Sequence, residues 1–336
     1  GVLFAGKLCG AIMANGKVSA FVDLWFDSEK QCPFDVKYLS SSLSSIAHSA
    51  NEIQSLYFRL RTKNQVSLGR LLTVIGRCNE AITYLITKLS THINFWVVLP
   101  EIHGINHLIE INDLSVYFRT QTHAETIDIN TINEERSNRK FDPIEVQLFP
   151  SENTDTYSQL EPSTPWRPSY ANSVLGGTFD HLHEGHKVLL TAACLSATET
   201  IHVGVSGEPL LTKKQYSNVL EPFQVRKEQV RHFLDCVNPR VQKNIFLLND
   251  PYGPTITDPN LDALILSKET EKAIQGINEK RSQQNLKPLV PIVIDYIFDT
   301  TIIPDFLDRL QAGHLGELED EKHRVSSTSR RQNIAS

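Results

Sequence analysis

Two histidines three residues apart, His183 and His186, close the stretch Gly176-Gly177-Thr178-Phe179-Asp180-His181-Leu182-His183-Glu184-Gly185-His186. A short apolar run, Val174-Leu175, leads into it and an apolar-periodic stretch, 187–195, leads out. That order reads as strand, tight glycine turn, then helix. Such a turn gathers free backbone N–H groups and the positive end of a helix at one point, where a phosphate can sit. At helical spacing the two imidazoles share one face, one turn apart. Gly185 between them lacks a Cβ, which lets a flat or charged ligand approach the backbone. The blander readings are a helix cap or a metal site, and the metal reading lacks ligands at the spacing of structural zinc.

The elements that must hold this turn lie in the second half of the chain. Residues 200–205 alternate β-branched and polar side chains and predict a second strand, ended by Ser206-Gly207. A helix is expected over 221–237, strands over 245–248 and 262–266, a polar helix over 267–285 and a fifth strand over 289–297. Strands alternating with helices mean βαβ units and a parallel sheet, with ligands at the carboxyl ends of its strands.

Four further features fall where that rule wants them. Lys213 and Lys214 follow the second strand; alone they read as solvated. Asp250-Pro251-Tyr252-Gly253-Pro254-Thr255 follows the third, with the composition of a plain turn. Ser267-Lys268-Glu269-Thr270 follows the fourth, where Ser267 could cap a helix. Val325-Ser326-Ser327-Thr328-Ser329-Arg330-Arg331 reads either as a polar tail or as a helix start whose hydroxyls and N–H groups meet an anion.

Gly177-Thr178-Phe179-Asp180 followed by His183-Glu184-Gly185-His186 resembles the signature of the HxGH nucleotidyltransferases. With Gly176 in front and Lys187 directly after the second His, the form is similar to eukaryotic phosphopantetheine adenylyltransferases. The resemblance covers roughly 172–332. It implies a Rossmann-like parallel sheet and transfer of an adenylyl group from ATP, with Mg²⁺, to 4′-phosphopantetheine. It implies that His183, His186 and one of the two lysines, Lys213 or Lys214, act on the phosphates. It further implies that Gly177, Thr178, Phe179, Asp180, Gly185, Tyr252, Gly253, Ser267, Ser326, Ser327, Thr328 and Arg331 line the nucleotide site, with Arg331 clamping phosphate and no protein ligand to a metal. The Pro-Tyr-Gly-Pro segment resembles the eukaryotic members; the Ser-Ser-Thr run resembles the family's Ile-Ser-Ser-Thr-x-x-Arg motif with Val for Ile. A cytidylyltransferase, a nicotinamide mononucleotide adenylyltransferase or a non-catalytic scaffold for coenzyme A synthesis are the alternatives. No Arg-Thr-x-Gly-Ile-Ser-Thr-Ser run of a cytidylyltransferase occurs. No Walker A loop follows the transferase motifs, so a single activity is expected.

The first half offers no such chemistry. Gly1 to Lys7 fits most of a Walker A pattern, but Leu8 stands where Ser or Thr must bind Mg²⁺. A strand is expected over 17–26. Leu43, Ile46, Ala47, Ala50, Ile53, Tyr57 and Leu60 recur at helical spacing, as do apolar residues from Leu68 to Leu89, and predict two amphipathic helices. Strands are expected at 95–99, ended by Pro100, and at 114–118. His103 and His107 lack partners and read as structural; 134–140 reads as a charged solvated face. Pro150, Pro162, Pro165 and Pro168 among many Ser, Thr and Glu mark a linker, from which Trp166 and Tyr170 would dock onto the second domain. The expected organisation is an α/β domain over 1–149, a linker over 150–171 and a nucleotidyltransferase domain over 172–336.

Composition bounds the rest. The chain has 336 residues with 33 Lys and Arg against 39 Asp and Glu, a net charge of −6. That balance argues against a nucleic-acid surface. Five cysteines at wide spacing, Cys9, Cys32, Cys78, Cys194 and Cys236, fit a reducing compartment. No apolar run reaches the ~20 residues of a membrane span. The expected setting is the cytoplasm, with a mitochondrial or nuclear pool as the alternative. Coenzyme A pathway proteins meeting residues 1–149, or a second copy of the chain, are the expected protein partners.

Overall fold

Strand β1, Val18–Phe26, turns Ala20, Val22, Leu24 and Phe26 into the core. This alternation suits a pleated strand covered by packed helices. In the computed structural model it is the central strand of the first of two parallel sheets. The structure describes residues 18–26, 34, 36–49, 53–62, 66–89, 93–99, 107–111, 114–120, 128–149, 169–212, 214–318 and 321–335. The expectations at 1–17, Cys32, Ala50, Pro100, His103, 150–168 with Trp166, and Lys213 fall outside these.

After β1 come α1 (Val36–Ser49), β2 (Ile53–Thr62), α2 (Leu68–Lys88), β3 (Asn94–Val98), a short α3 (His107–Glu110), β4 (Leu114–Thr120), α4 (Ile129–Asn138) and β5 (Glu145–Phe149). The strand order is β3-β2-β1-β4-β5, and every pairing is parallel. The helix expected to run through Leu60 ends at Ser49, and Ile53 opens a strand instead. Leu56, Tyr57, Phe58, Arg59 and Leu60 are all buried, because β2 lies between β1 and β3 with both faces covered. A continuous apolar run of this kind satisfies helical spacing by accident. The charged segment at 134–140 is solvated as expected at every residue but one. Most of it is helix α4, and Arg136 within it is fully buried.

The second sheet is built from β6 (Tyr170–Gly177), β7 (Ala197–Ser206), β8 (Gln242–Leu248), β9 (Ala263–Ser267) and β10 (Val290–Ile294). Its order is β10-β9-β6-β7-β8, again all parallel. Helices α5 (Glu184–Ser196), α6 (Phe223–Val237) and α7 (Ala273–Gln283) make the crossovers; α8 (Phe306–Ala312) and α9 (Ser327–Ala335) come after them. The chain is therefore an α/β protein with a Rossmann-like parallel sheet in its C-terminal half and a separate α/β sheet in its N-terminal half.

Two compact units result. One comprises Gly1–Gln65, Ala81–Pro165 and Pro304–Leu315; the other comprises Val66–Glu80, Trp166–Ile303 and Gly316–Ser336. The first turns of α2 belong to the second unit, where Val74, Ile75 and Cys78 are fully buried. Among the described residues no helix is long and apolar enough to cross a membrane.

Candidate functional site

The turn from β6 into α5 takes a shape that L-residues resist. Phe179 and His181 both sit in the left-handed region, at φ 51° and 46°. Such conformations cost of order 1 kcal/mol each and persist only where surroundings hold them. The His181 N–H donates to Glu221 Oε2 at 2.6 Å, and the Glu221 N–H donates to Asp180 Oδ1 at 2.9 Å. Arg226, buried at the start of α6, donates to the carbonyls of Thr178, Ser206 and Glu221 at 2.6, 3.0 and 2.9 Å. One guanidinium thus ties the ends of β6 and β7 to the entry of α6.

His183 is the residue before α5, and His186 lies in its first turn. Their rings stack with centroids 3.8 Å apart and planes 22° apart, and the ring of Phe179 lies 5.2 Å from His186. The Ser327 hydroxyl stands 3.4 Å from His183 Nε2 and 3.5 Å from His186 Nε2. Each Nδ1 is buried without a hydrogen-bond partner. A Cβ on Gly185 would come 3.2 Å from the His183 ring and 3.4 Å from Val325. Glycine here makes room for the imidazole, and it also lines the cleft.

Both imidazoles are neutral. Burial, assisted by the cations of Arg330, Lys187 and Arg331, pushes His183 down to about 3. Burial and then His183 push His186 well below its usual value, against the pull of Asp180 and Glu184. In the unfolded chain these groups take up protons near pH 6.5, whereas in the folded chain they do so only far lower. For His183 the unfolded state therefore binds more protons between about pH 3 and 6.5, and for His186 it does so below 6.5 as well, so stability falls as pH drops from 6.5. Glu80, whose carboxyl burial pushes up, has the opposite sign. Urea titrations of the wild type and of His183→Gln/His186→Gln at pH 5 and 7 isolate the imidazoles. The wild type loses more stability on acidification, by up to about 1.4 kcal/mol per pH unit per histidine. Equal losses would mean that the imidazoles titrate alike in the folded and unfolded chain.

The last described helix completes the site. Ser326 and Ser329 cap α9 reciprocally, the N–H of each donating to the other's hydroxyl at 3.2 and 3.1 Å. The first-turn N–H groups of such a helix have no intrahelical acceptor, and Ser326, Ser327 and Thr328 line the cleft. Arg330 pairs with Glu184 at 2.9 Å, linking α9 to the start of α5. Arg331 is fully buried, and all three of its nitrogens are engaged. Nη1 meets Asp180 Oδ2 at 2.8 Å, Nε meets the Gln215 carbonyl at 2.9 Å and Nη2 meets Thr328 Oγ1 at 3.2 Å. The phosphate clamp expected of Arg331 is therefore not what this geometry shows. Arg331 and Asp180 brace the site from beneath.

These elements enclose a cleft of about 610 Å³. Gly177, Thr178, Phe179, His183, Gly185 and His186 form one wall, and Ser326, Ser327, Thr328 and Arg331 form another. Lys214, Tyr252 and Ser267 also line it. Asp180, committed to Arg331 and Glu221, and Gly253 are not among the lining residues. Gly253 serves its turn instead. It sits at φ 50°, and a Cβ would collide with Leu248 at 2.5 Å. Ser267 ends β9 and closes a turn with Thr270; α7 begins later, at Ala273, so Ser267 caps no helix.

Sequence reasoning missed the segment after β10. Asp295, Tyr296 and Ile297 line the cleft, with the guanidinium of Arg324 3.5 Å above the Tyr296 ring. The first turns of α2 back this segment. The Phe298 N–H donates to the buried Glu80 carboxylate at 2.7 Å, and Arg77 donates to the same carboxylate at 2.7 Å. The Val325 N–H in turn donates to the Ile297 carbonyl at 2.9 Å, which carries the support to the Ser-Ser-Thr run. The available signal was position alone, since Asp-Tyr stands at the carboxyl end of a strand.

A parallel sheet with neutral stacked histidines at a helix start, faced by a serine-rich second helix start, defines a nucleotidyltransferase-type domain. Comparison with known proteins agrees. The family model "Cytidylyltransferase-like" matches residues 174–333. The "Uncharacterized protein C1F12.08" of Schizosaccharomyces pombe is 38% identical over 163 residues, 48% of each chain. The "Phosphopantetheine adenylyltransferase" of Saccharomyces cerevisiae is 31% identical over 125 residues, 37% of this chain and 41% of the yeast protein. The "Phosphopantetheine adenylyltransferase" of Pyrobaculum aerophilum is 36% identical over 131 residues, 39% of this chain and 83% of the archaeal protein. The chain belongs to the phosphopantetheine-adenylyltransferase-like family. It spans less than half the length of the two yeast relatives. The relatives include many archaeal proteins, so membership holds for the family and not for its eukaryotic branch in particular.

Proposed function

We propose that the second unit transfers an adenylyl group from ATP to 4′-phosphopantetheine, releasing pyrophosphate and forming dephospho-coenzyme A. The observation that carries this reading is the pair of neutral, stacked imidazoles sharing the Ser327 hydroxyl at the meeting of two helix starts. An oxygen of the acceptor phosphate forms a bond to the α-phosphorus while the bond from that phosphorus to the bridging oxygen breaks, and the electron pair leaves with pyrophosphate. The acceptor is already an anion, so no general base and no covalent enzyme intermediate are needed. Catalysis is positioning and charge stabilisation.

In this reading the ring N–H groups of His183 and His186 donate to the α- and β-phosphates, where negative charge grows. Thr178 and Lys214 orient the attacking phosphate; Lys213, outside the described residues, is the second cation proposed for this step. Ser326, Ser327 and Thr328 hold the outer phosphates through their hydroxyls and the start of α9. Gly185 keeps the His183 ring in register. Asp180 is paired with Arg331, Glu184 with Arg330 and Asp295 with Lys268, and Glu269 also lines the cleft. That donor set suits Mg²⁺ held by phosphate oxygens and water, where it neutralises charge on the triphosphate. The same reading puts the enzyme in the cytoplasm and leaves residues 1–149 as the surface for protein partners or a second copy.

Pyrophosphate release distinguishes the alternatives. ATP with 4′-phosphopantetheine yields pyrophosphate and dephospho-coenzyme A in equal amounts, whereas CTP, or ATP with nicotinamide mononucleotide, yields neither. Turnover with one of those other pairs alone would move the protein to a neighbouring activity within the same superfamily. No turnover with any pair, alongside intact ATP binding, would favour the scaffold.

A further inference from the structure

Helices α4 and α7 carry one device twice. The sequences Ile132-Asn133-Glu134-Glu135-Arg136-Ser137 and Ile277-Asn278-Glu279-Lys280-Arg281-Ser282 agree at five of six positions. Pro143 and Pro288 follow at the same interval. Ile132 and Ile277 are buried at equivalent points, and both arginines are fully buried.

The bonding repeats in detail. Asn133 clasps the backbone of Ile144, its amide donating to the carbonyl at 3.2 Å and its oxygen accepting from the N–H at 2.8 Å. Asn278 clasps Leu289 in the same way, at 3.1 and 2.8 Å. Arg136 Nε donates to the Asp142 carbonyl at 2.8 Å, and Arg281 Nε donates to the Lys287 carbonyl at 2.7 Å. Each Nη1 then donates to two carbonyls in the turn before the fourth strand: Leu108 and Ile111 in one case, Thr255 and Asp258 in the other. Both helices unwind through a residue in the left-handed region, Lys140 at φ 62° and Asn285 at φ 55°. The Phe141 N–H then returns to the Arg136 carbonyl and the Leu286 N–H to the Arg281 carbonyl, both at 2.9 Å. One difference remains. Arg136 Nη2 reaches the Leu114 carbonyl, while Arg281 Nη2 has no partner.

The sheets around these helices also match. In each, the first strand is central, the second and third lie on one side, and the fourth and fifth lie on the other. That order is common in doubly wound folds and would carry little by itself. A buried arginine gathering three or four carbonyls, beside an asparagine clasp, is not required by the topology.

We infer that residues 18–149 are a second, diverged copy of the nucleotidyltransferase fold, in which the phosphate grip has been lost, so that the chain holds one triphosphate site. Between β1 and α1, where the C-terminal copy places Thr178 to His186, the N-terminal copy has Asp27-Ser28-Glu29-Lys30-Gln31-Cys32-Pro33-Phe34-Asp35. This stretch has no histidine and no glycine, and three carboxylates against one lysine repel a triphosphate.

Two measurements on the full chain test this. Thermal unfolding of Arg136→Lys and Arg281→Lys tests the equivalence without reference to nucleotide. Lysine keeps the charge but not the planar fork, so each variant lowers the melting temperature, by similar amounts. A neutral Arg136→Lys beside a destabilising Arg281→Lys would overturn the equivalence. Calorimetric titration with Mg²⁺ and a non-hydrolysable ATP analogue tests the lost site. The wild type binds one equivalent, and His183→Ala/His186→Ala weakens binding at least tenfold. Two equivalents, or one equivalent retained at full affinity in the double variant, would overturn the assignment of a single site.

Discussion

Under the proposed adenylyl transfer, His186→Ala lowers kcat by about 10²–10³, the usual cost of removing one donor aimed at developing charge, and leaves the melting temperature close to that of the wild type. The separation between chemistry and stability follows from the geometry. The imidazole is buried but neutral, and its Nδ1 has no partner. Alanine removes a ring and one unsatisfied atom but strands no charge. KM for ATP rises by a smaller factor, because His183, Ser327 and the helix start still meet the ground-state phosphates. Steady-state kinetics with both substrates varied, alongside a thermal melt, read both effects. Unchanged kcat would remove His186 from the reaction. A fall in kcat matched by loss of the folded transition would make its role structural.

Arg331→Met produces the opposite pattern. Its guanidinium and Asp180 are both fully buried and meet at 2.8 Å. Removing one partner of a buried pair leaves the other charge uncompensated and costs about 3–5 kcal/mol. For a domain of this size that lowers the melting temperature by roughly 10 °C. Asp180→Asn/Arg331→Met recovers part of the loss, since no buried charge is then stranded. Scanning calorimetry of the two single variants and the double variant decides the matter. An Arg331→Met protein that melts like the wild type and shows only a raised KM for ATP would mean that the guanidinium reaches phosphate after all.

The strand–turn–helix that carries the paired histidines was legible in the sequence because its residue types are uncommon and its spacing is tight. Glycines, then paired histidines, then an apolar helix leave few other readings. Helix α2 was legible for a different reason: its 21 residues keep one period throughout. β2 was not, because a strand covered on both faces loses its alternation, and Ile53, Tyr57 and Leu60 then match a helix. Arg136, Arg226, Arg281 and Arg331 were the hardest to place. A sequence marks arginine as a surface residue, and only the fold shows carbonyls converging on the first three and the buried Asp180 carboxylate waiting for Arg331. The repeat shared by α4 and α7 stood in the letters of the chain, yet a charged segment read as a solvated face invites no comparison with another. The support that Glu80 gives Phe298 joins positions 218 residues apart, a pairing that no local pattern announces.

The most direct test is nuclear magnetic resonance of the chain labelled with ¹⁵N at histidine, titrated with Mg²⁺ and a non-hydrolysable ATP analogue, the signals of His183 and His186 being assigned through their glutamine variants. Before addition, both rings give neutral-imidazole shifts at pH 6. On addition, both move and reach saturation at one equivalent, as their N–H groups engage phosphate. Saturable binding of the analogue with both signals unmoved would show that the triphosphate rests elsewhere and would contradict the account.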